Sequence, residues 1–200
     1  MTAIVVGGHS RNVGKTSIAA GLIWAFRKYP WTAIKISSHR HANIAVFPNR
    51  DPGCFYEIYE EENREGTSDT SRFLAAGACR SLWMRIEEDH ADMGMQQLRS
   101  ILQSYPFVMI ESNRVLSVMR PDLYLMVLRY DTKDFKESAR RLLKQADAVV
   151  ALNPDSVPPP WEGVSDFLTD IPQFITKDPR VMPAGLIDFV KSRLLTENLP

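Results

Sequence analysis

Gly7-Gly8-His9-Ser10-Arg11-Asn12-Val13-Gly14-Lys15-Thr16-Ser17 is the stretch that decides how this chain folds. It joins a short apolar run, expected to be a strand over 3–6, to a segment over 15–27 whose Ile18, Leu22, Ile23 and Phe26 recur at helical spacing. A glycine-rich turn between a strand and a helix is the setting that a phosphate-binding loop requires. Glycine permits positive φ and close backbone approach, so successive N–H groups can point inward at phosphate oxygens. The N-terminus of the following helix adds favourable partial charge. In such a loop Lys15 reaches the β- and γ-phosphates and the Thr16 hydroxyl coordinates magnesium. Positions Gly8 through Ser17 are therefore the candidate nucleotide contacts. An ordinary glycine-rich turn is the alternative, and Gly14-Lys15-Thr16 at the junction argues against it. The common spacing G-x-x-x-x-G-K-T would place glycine at position 9, where this chain has His9; the nearest glycine is Gly8, five residues intervening before Gly14.

Outward from the loop, short apolar runs alternate with longer amphipathic segments, the order of parallel strands joined by helical crossovers. Strands are expected over 32–36, 81–86, 107–110, 123–128, 148–152 and 173–176. Helical patterns run over 70–77, 93–103, 135–144 and 184–195, and 158–160 marks a turn. From 37 to 67 the pattern dissolves into Pro, Gly, Asn and acids, which reads as a long irregular lid. Glu57, Glu60, Glu61, Glu62 and Glu65 read as a solvated, mobile stretch within it. Trp83, Met84, Met93 and Met95 read as core or crossover packing. No repeat, low-complexity tract or linker divides the chain. The expectation is one α/β domain over 1–200, a three-layer, doubly wound, mostly parallel sheet of the P-loop NTPase fold.

The totals narrow the function. Two hundred residues with 44% hydrophobic and 24% charged residues are ordinary globular composition. Twenty-four basic residues balance 24 acidic ones, so no bulk field draws the protein to nucleic acid or to anionic lipid. No apolar run reaches the ~20 residues that span a bilayer. Cys54 and Cys79 are too few for a disulfide framework, and with no secretory signal at the N-terminus the expected location is cytoplasmic.

The spacing Gly8-x5-Gly14-Lys15-Thr16 resembles the loop of dethiobiotin synthetase and cobyric acid synthase relatives. Ile34-Lys35-Ile36 followed by His39 and His41, then Ser68-Asp69-Thr70-Ser71-Arg72-Phe73-Leu74-Ala75-Ala76-Gly77-Ala78, resembles the molybdopterin-guanine dinucleotide biosynthesis adaptor family. Met109-Ile110-Glu111-Ser112-Asn113 stands where that family ends a strand in Val-Glu-Gly. The likeness runs in order from about Ile4 to Asn113, with Ser68 in place of the family's lysine and Ser112 in place of its glycine. It implies a nucleotide-binding accessory role in molybdenum-cofactor or related cofactor biosynthesis. Dimers among the relatives imply a homodimer.

Glu111 falls at the carboxyl end of a strand, the edge where open α/β sheets bind ligands, and a carboxylate there suits magnesium or an attacking group. Asp69 reads either as a magnesium ligand or as the N-cap of the helix after it. Lys35 ends the second strand; the synthetase resemblance implies contact with phosphate and substrate, against a solvated strand-end lysine. His39, His41 and Cys54 could be assembled into a zinc site with one more ligand, or the histidines and Arg40 could form a polar lid over the phosphates. Asn153 stands before Pro154 and Asp155 at a strand end, where an asparagine can bond the purine or simply open a turn. Asp131-Thr132-Lys133 offers a switch or partner surface, and Arg120-Pro121-Asp122 a turn. Three functions fit: an accessory protein that binds and slowly hydrolyses ATP or GTP with magnesium, an ATP-dependent ligase of the dethiobiotin synthetase type, and a nucleotide-switched protein acting on a partner.

Overall fold

The computed structural model describes residues 1–37, 53–87, 89–154 and 160–194. The chain runs β1 (Thr2–Gly8), α1 (Lys15–Ala25), β2 (Thr32–Ser37), β3 (Tyr56–Glu60), α2 (Asp69–Ala75), β4 (Arg80–Ile86) and α3 (Ala91–Gln103). It continues through β5 (Phe107–Glu111), a 3-10 turn (Arg114–Ser117), β6 (Leu123–Arg129), α4 (Glu137–Leu143), β7 (Ala148–Leu152), α5 (Ser165–Leu168), β8 (Gln173–Thr176) and α6 (Leu186–Leu194).

Among the described residues, eight strands form one sheet in the order β3-β4-β2-β5-β1-β6-β7-β8. Only β3 runs antiparallel to its neighbour. Buried parallel strands read as continuous apolar runs because both faces are covered, and β1 shows how. Ala3 and Val5 pack on one face with Met95, Leu98 and Leu102 of α3 and Leu143 of α4. Ile4 and Val6 pack on the other with Ile18, Leu22 and Ile23 of α1, Phe73 of α2 and Val190 of α6. Each such fully buried aliphatic side chain contributes about 1.5–3 kcal/mol. The result is the expected three-layer α/β arrangement. Among the described residues no helix is long and apolar enough to cross a membrane.

Several expectations change. The expected irregular lid contains β3, an edge strand, while 38–52 lie outside the described residues. An edge strand needs only one apolar face, and here Tyr56 and Ile58 alternate inward while Glu57 meets Arg85 at 2.6 Å. Glu60 likewise pairs with Arg80, and Glu61 accepts from Ser68 and Thr70. Those three acids are tied to the fold rather than loosely solvated. Met93, read as packing, is 53% exposed on the outer side of α3, whereas Trp83, Met84 and Met95 are buried. The short α5 and the 3-10 turn carry too few residues to show a period. The turn at 158–160 lies almost wholly outside the described residues.

Candidate nucleotide site

β1 extends through Gly8, so the loop proper is short. Gly14 caps α1 in the left-handed region at φ 103°, and Asn12 also has positive φ, 56°. Both turns let the chain double back before the helix starts. A Cβ on Gly8 would lie 2.8 Å from Val13 Cγ2 and 3.0 Å from the Lys15 side chain, so this position tolerates only glycine while the loop stays closed. Lys15 arches over the loop, its Nζ 2.7 Å from the Ser10 carbonyl. Burial lowers the Lys15 pKa, which Glu111 partly offsets.

Beside the loop, strand register gathers a polar cluster. β5 lies between β1 and β2, with Glu111 opposite Val6 on one side and Lys35 on the other. Thr16 Oγ1 donates to Glu111 Oε2 at 2.7 Å. Lys35 Nζ donates to Glu111 Oε1 at 3.0 Å and also contacts Asp69 Oδ2. Arg72 reaches from α2 to Ser17 Oγ at 2.7 Å, with Asp69 Oδ1 3.8 Å from its guanidinium. Burial opposes charge on Lys35, but Glu111 and Asp69 outweigh it and raise its pKa. Burial likewise opposes charge on Asp69, and Lys35 outweighs it, so that carboxyl sits below its usual range.

These groups line a cavity of about 610 Å³ that runs from Arg11–Ser17 to Lys35, Asp69, Arg72 and Glu111. A larger cavity, about 1070 Å³, opens at the other edge of the sheet beside Thr2, Asp122 and Asp147. Its two carboxylates already accept the backbone N–H groups of Ala3 and Tyr124, each at 2.7 Å. Its Lys144 and Arg193 stand at the C-terminal ends of α4 and α6, where cations answer the helix carbonyls. The loop and the polar cluster beside it line the smaller cavity.

The structure sorts the expected site residues. Arg11, Asn12, Val13, Gly14, Lys15, Thr16 and Ser17 line the cavity. Gly8 has both backbone groups held by the Asn113 side chain, and Ser10 Oγ donates to Asp134 at 2.6 Å. The His9 side chain turns into the core between Phe135 and Trp161, with ring centroids at 5.1 and 4.7 Å, and its backbone N–H goes to Val127. Neither Gly8 nor His9 thus offers the cavity a spare backbone N–H. Asp69 is not the N-cap of α2; Ser68 is, its side chain accepting the Ser71 N–H. Asn153 donates to Asp131 at 2.8 Å and does not line the cavity. Pro179 lies over Gly14 instead, and Arg129 lines the same side. His39, Arg40, His41 and Asp155 lie outside the described residues. Among the described residues, no group of three or more His, Cys, Asp or Glu side chains is placed to hold a metal. Sequence reasoning assigned no role to Asn113, Arg72, Arg129 or Pro179. Of these, Asn113 and Arg72 stand within the stretches that carry the adaptor resemblance, which was the available signal.

No family model matches this chain, and no curated protein matches it. Solved structures do. The MinC:MinD cell division protein complex of Aquifex aeolicus aligns over 96% of this chain and 86% of that one, with a TM-score of 0.50 and 14% identity. The chain has the P-loop NTPase fold. HypB of Helicobacter pylori, in complex with nickel, aligns over 99% of this chain and 92% of its own at TM-score 0.49 and 15% identity. LpxK of Aquifex aeolicus, in complex with ATP, aligns over 88% of this chain at TM-score 0.48 and 21% identity. The chain spans about half of LpxK, 53% of its length.

Proposed function

We propose that this protein binds a purine nucleoside triphosphate with magnesium at the loop ending in Gly14-Lys15-Thr16 and hydrolyses it slowly. The carrying observation is the cluster of Thr16, Glu111, Lys35 and Asp69 on one wall of a cavity whose other wall is the loop. The donor set fits magnesium, a hard ion that takes hydroxyl and carboxylate oxygens directly or through water. Thr16, Glu111 and Asp69 would hold it, and the bound ion would neutralise charge on the phosphates. Lys15 and the backbone N–H groups along the loop and the first turn of α1 would hold the phosphates themselves.

Slow turnover is read from the company Glu111 keeps: its oxygens are bonded to Thr16 and Lys35, and with the ion bound this carboxylate would serve the metal rather than act as a free base. The adaptor resemblance adds an accessory role in cofactor biosynthesis. A ligase of the dethiobiotin synthetase type is the second reading. Lys35 and Arg72 favour it, because they put two cations on the cavity wall built from β2 and α2, where an anionic acceptor would lie.

Titration with fluorescent ATP and GTP analogues, with and without magnesium, tests the proposal against Lys15→Ala. Magnesium-dependent binding that the variant loses is the expected result. Failure of both nucleotides to bind the parent protein at millimolar concentration would overturn it. Turnover that starts only when an anionic acceptor is added would favour the ligase.

A further inference from the structure

Lys35 is a cation placed among the very groups that would serve a magnesium ion. Register along β2 and β5 sets it beside Glu111, and the first turn of α2 brings Asp69 to its other side. Its ammonium contacts Asp69 Oδ2 and lies 3.0 Å from Glu111 Oε1, while Thr16 Oγ1 is bonded to the second Glu111 oxygen. Glu111 is only 4% exposed, so its charge must be matched inside the protein. Lys15 acts on Glu111 only through space, its ammonium being hydrogen-bonded to the Ser10 carbonyl, whereas Lys35 bonds the carboxylate directly. Lys35 therefore supplies the positive charge shared by both carboxylates in the absence of any metal, with Arg72 beside Asp69 alone.

A divalent ion and this ammonium cannot both sit between the two carboxylates. Two negative charges are already balanced by magnesium alone, and a third positive charge at contact distance is strongly repelled where water is scarce. A triphosphate changes that balance by bringing its own negative charge into the same cavity.

We propose that Lys35 is the resident counter-ion of the Asp69–Glu111 pair and yields to magnesium only when the metal arrives with nucleotide, which makes metal binding conditional on nucleotide. The inference rests on reading Thr16, Asp69 and Glu111 as the magnesium side of the site. It goes further in giving Lys35 a gating role that depends on its charge. Lys35 lines the cavity, so the displaced ammonium has the incoming phosphates as its new partners.

The test uses manganese as a magnesium substitute, read by the electron paramagnetic resonance signal of the free ion, with no nucleotide present. Lys35→Gln is expected to bind manganese roughly tenfold more tightly than the parent, since one unit charge is removed at contact distance. Lys35→Arg keeps the charge and is expected to stay at the parent's level. Adding Asp69→Asn to Lys35→Gln is expected to abolish the gain. A folded Lys35→Gln protein with unchanged or weaker manganese affinity would overturn the proposal. A second measurement needs no variant: acetic anhydride labelling of Lys35 in the parent, read by peptide mass spectrometry as manganese is raised. Labelling that stays flat as manganese alone is raised supports the condition on nucleotide, and labelling that climbs with manganese alone overturns it. Neither measurement contains nucleotide, so failure of the nucleotide reading in the fluorescent titration is seen separately.

Discussion

Asn113 grips both backbone groups of Gly8: its Oδ1 accepts the Gly8 N–H at 2.9 Å, and its Nδ2 donates to the Gly8 carbonyl at 2.8 Å. The amide acts as one more rung after the β1–β5 ladder, whose last pair is Val6 with Glu111. It fixes the direction in which β1 enters the loop. A Cβ on Gly7 would collide with Asn113 Oδ1 and press on the Tyr124 ring, so the clamp works only above a glycine. Asn113→Leu strands a donor and an acceptor and should cost about 2 kcal/mol or more. Urea denaturation checks the cost, and the fluorescent titration should show weaker nucleotide binding. Stability equal to the parent's would mean that the clamp holds nothing.

Gly14→Ala should damage the loop from the other end. Its φ of 103° is rarely adopted by L side chains, and the added methyl would lie 2.9 Å from Pro179 Cβ. The expected loss is about 1–3 kcal/mol of stability, measured by the same denaturation, with nucleotide binding lost as well.

Thr16→Val separates the metal from the phosphates. The variant keeps side-chain volume but removes the hydroxyl that bonds Glu111. Nucleotide affinity with magnesium should fall roughly 10–100-fold, as when a group that orients a metal site is lost. Affinity in EDTA should stay at the parent's value. An equal loss in both conditions would count against magnesium at Thr16.

His9 gives a pH dependence with a definite sign. Its ring is buried, its Nε2 has no hydrogen-bond partner, and burial holds its pKa below the ordinary 6.5. The unfolded chain therefore binds the proton more readily than the folded protein does. The contribution of a neutral His9 is complete above 6.5 and is lost as pH falls through the lower, folded value. Thermal or urea melts of the parent and of His9→Phe should differ by a constant amount above about pH 7, and the parent should lose ground toward about pH 5. Parallel stability curves would show that the ring does not titrate.

Ser68→Ala removes the cap of α2, the helix that carries Asp69 and Arg72 into the cavity. A loss of about 1 kcal/mol is expected. Circular dichroism melts would record it, and an unchanged melting curve would assign the cap to some other group.

Features that depend on neighbours along the chain were legible in the amino-acid order. Gly14-Lys15-Thr16 between an apolar run and a helical pattern located the loop, because positive φ and the helix start are local properties. Apolar runs located seven strands; six of them lie inside the sheet, where a strand covered on both faces reads as a continuous apolar run, and β8 is a short edge strand marked by Phe174 and Ile175. Tertiary structure decided what depends on through-space neighbours. β3 was illegible because an edge strand with only two inward side chains, Tyr56 and Ile58, leaves a weak pattern and borrows Arg80 and Arg85 from β4. His9 looked like a phosphate contact by position, and only the Phe135–Trp161 pocket shows which way its ring goes. Ser68 and Asp69 both had the chemistry of a cap, and the pull of Lys35 on Asp69 separates their roles. Lys35 and Glu111 are 76 positions apart, and Gly8 and Asn113 are 105 apart. Parallel register joins such pairs at one sheet edge, and no local pattern of residues encodes that register.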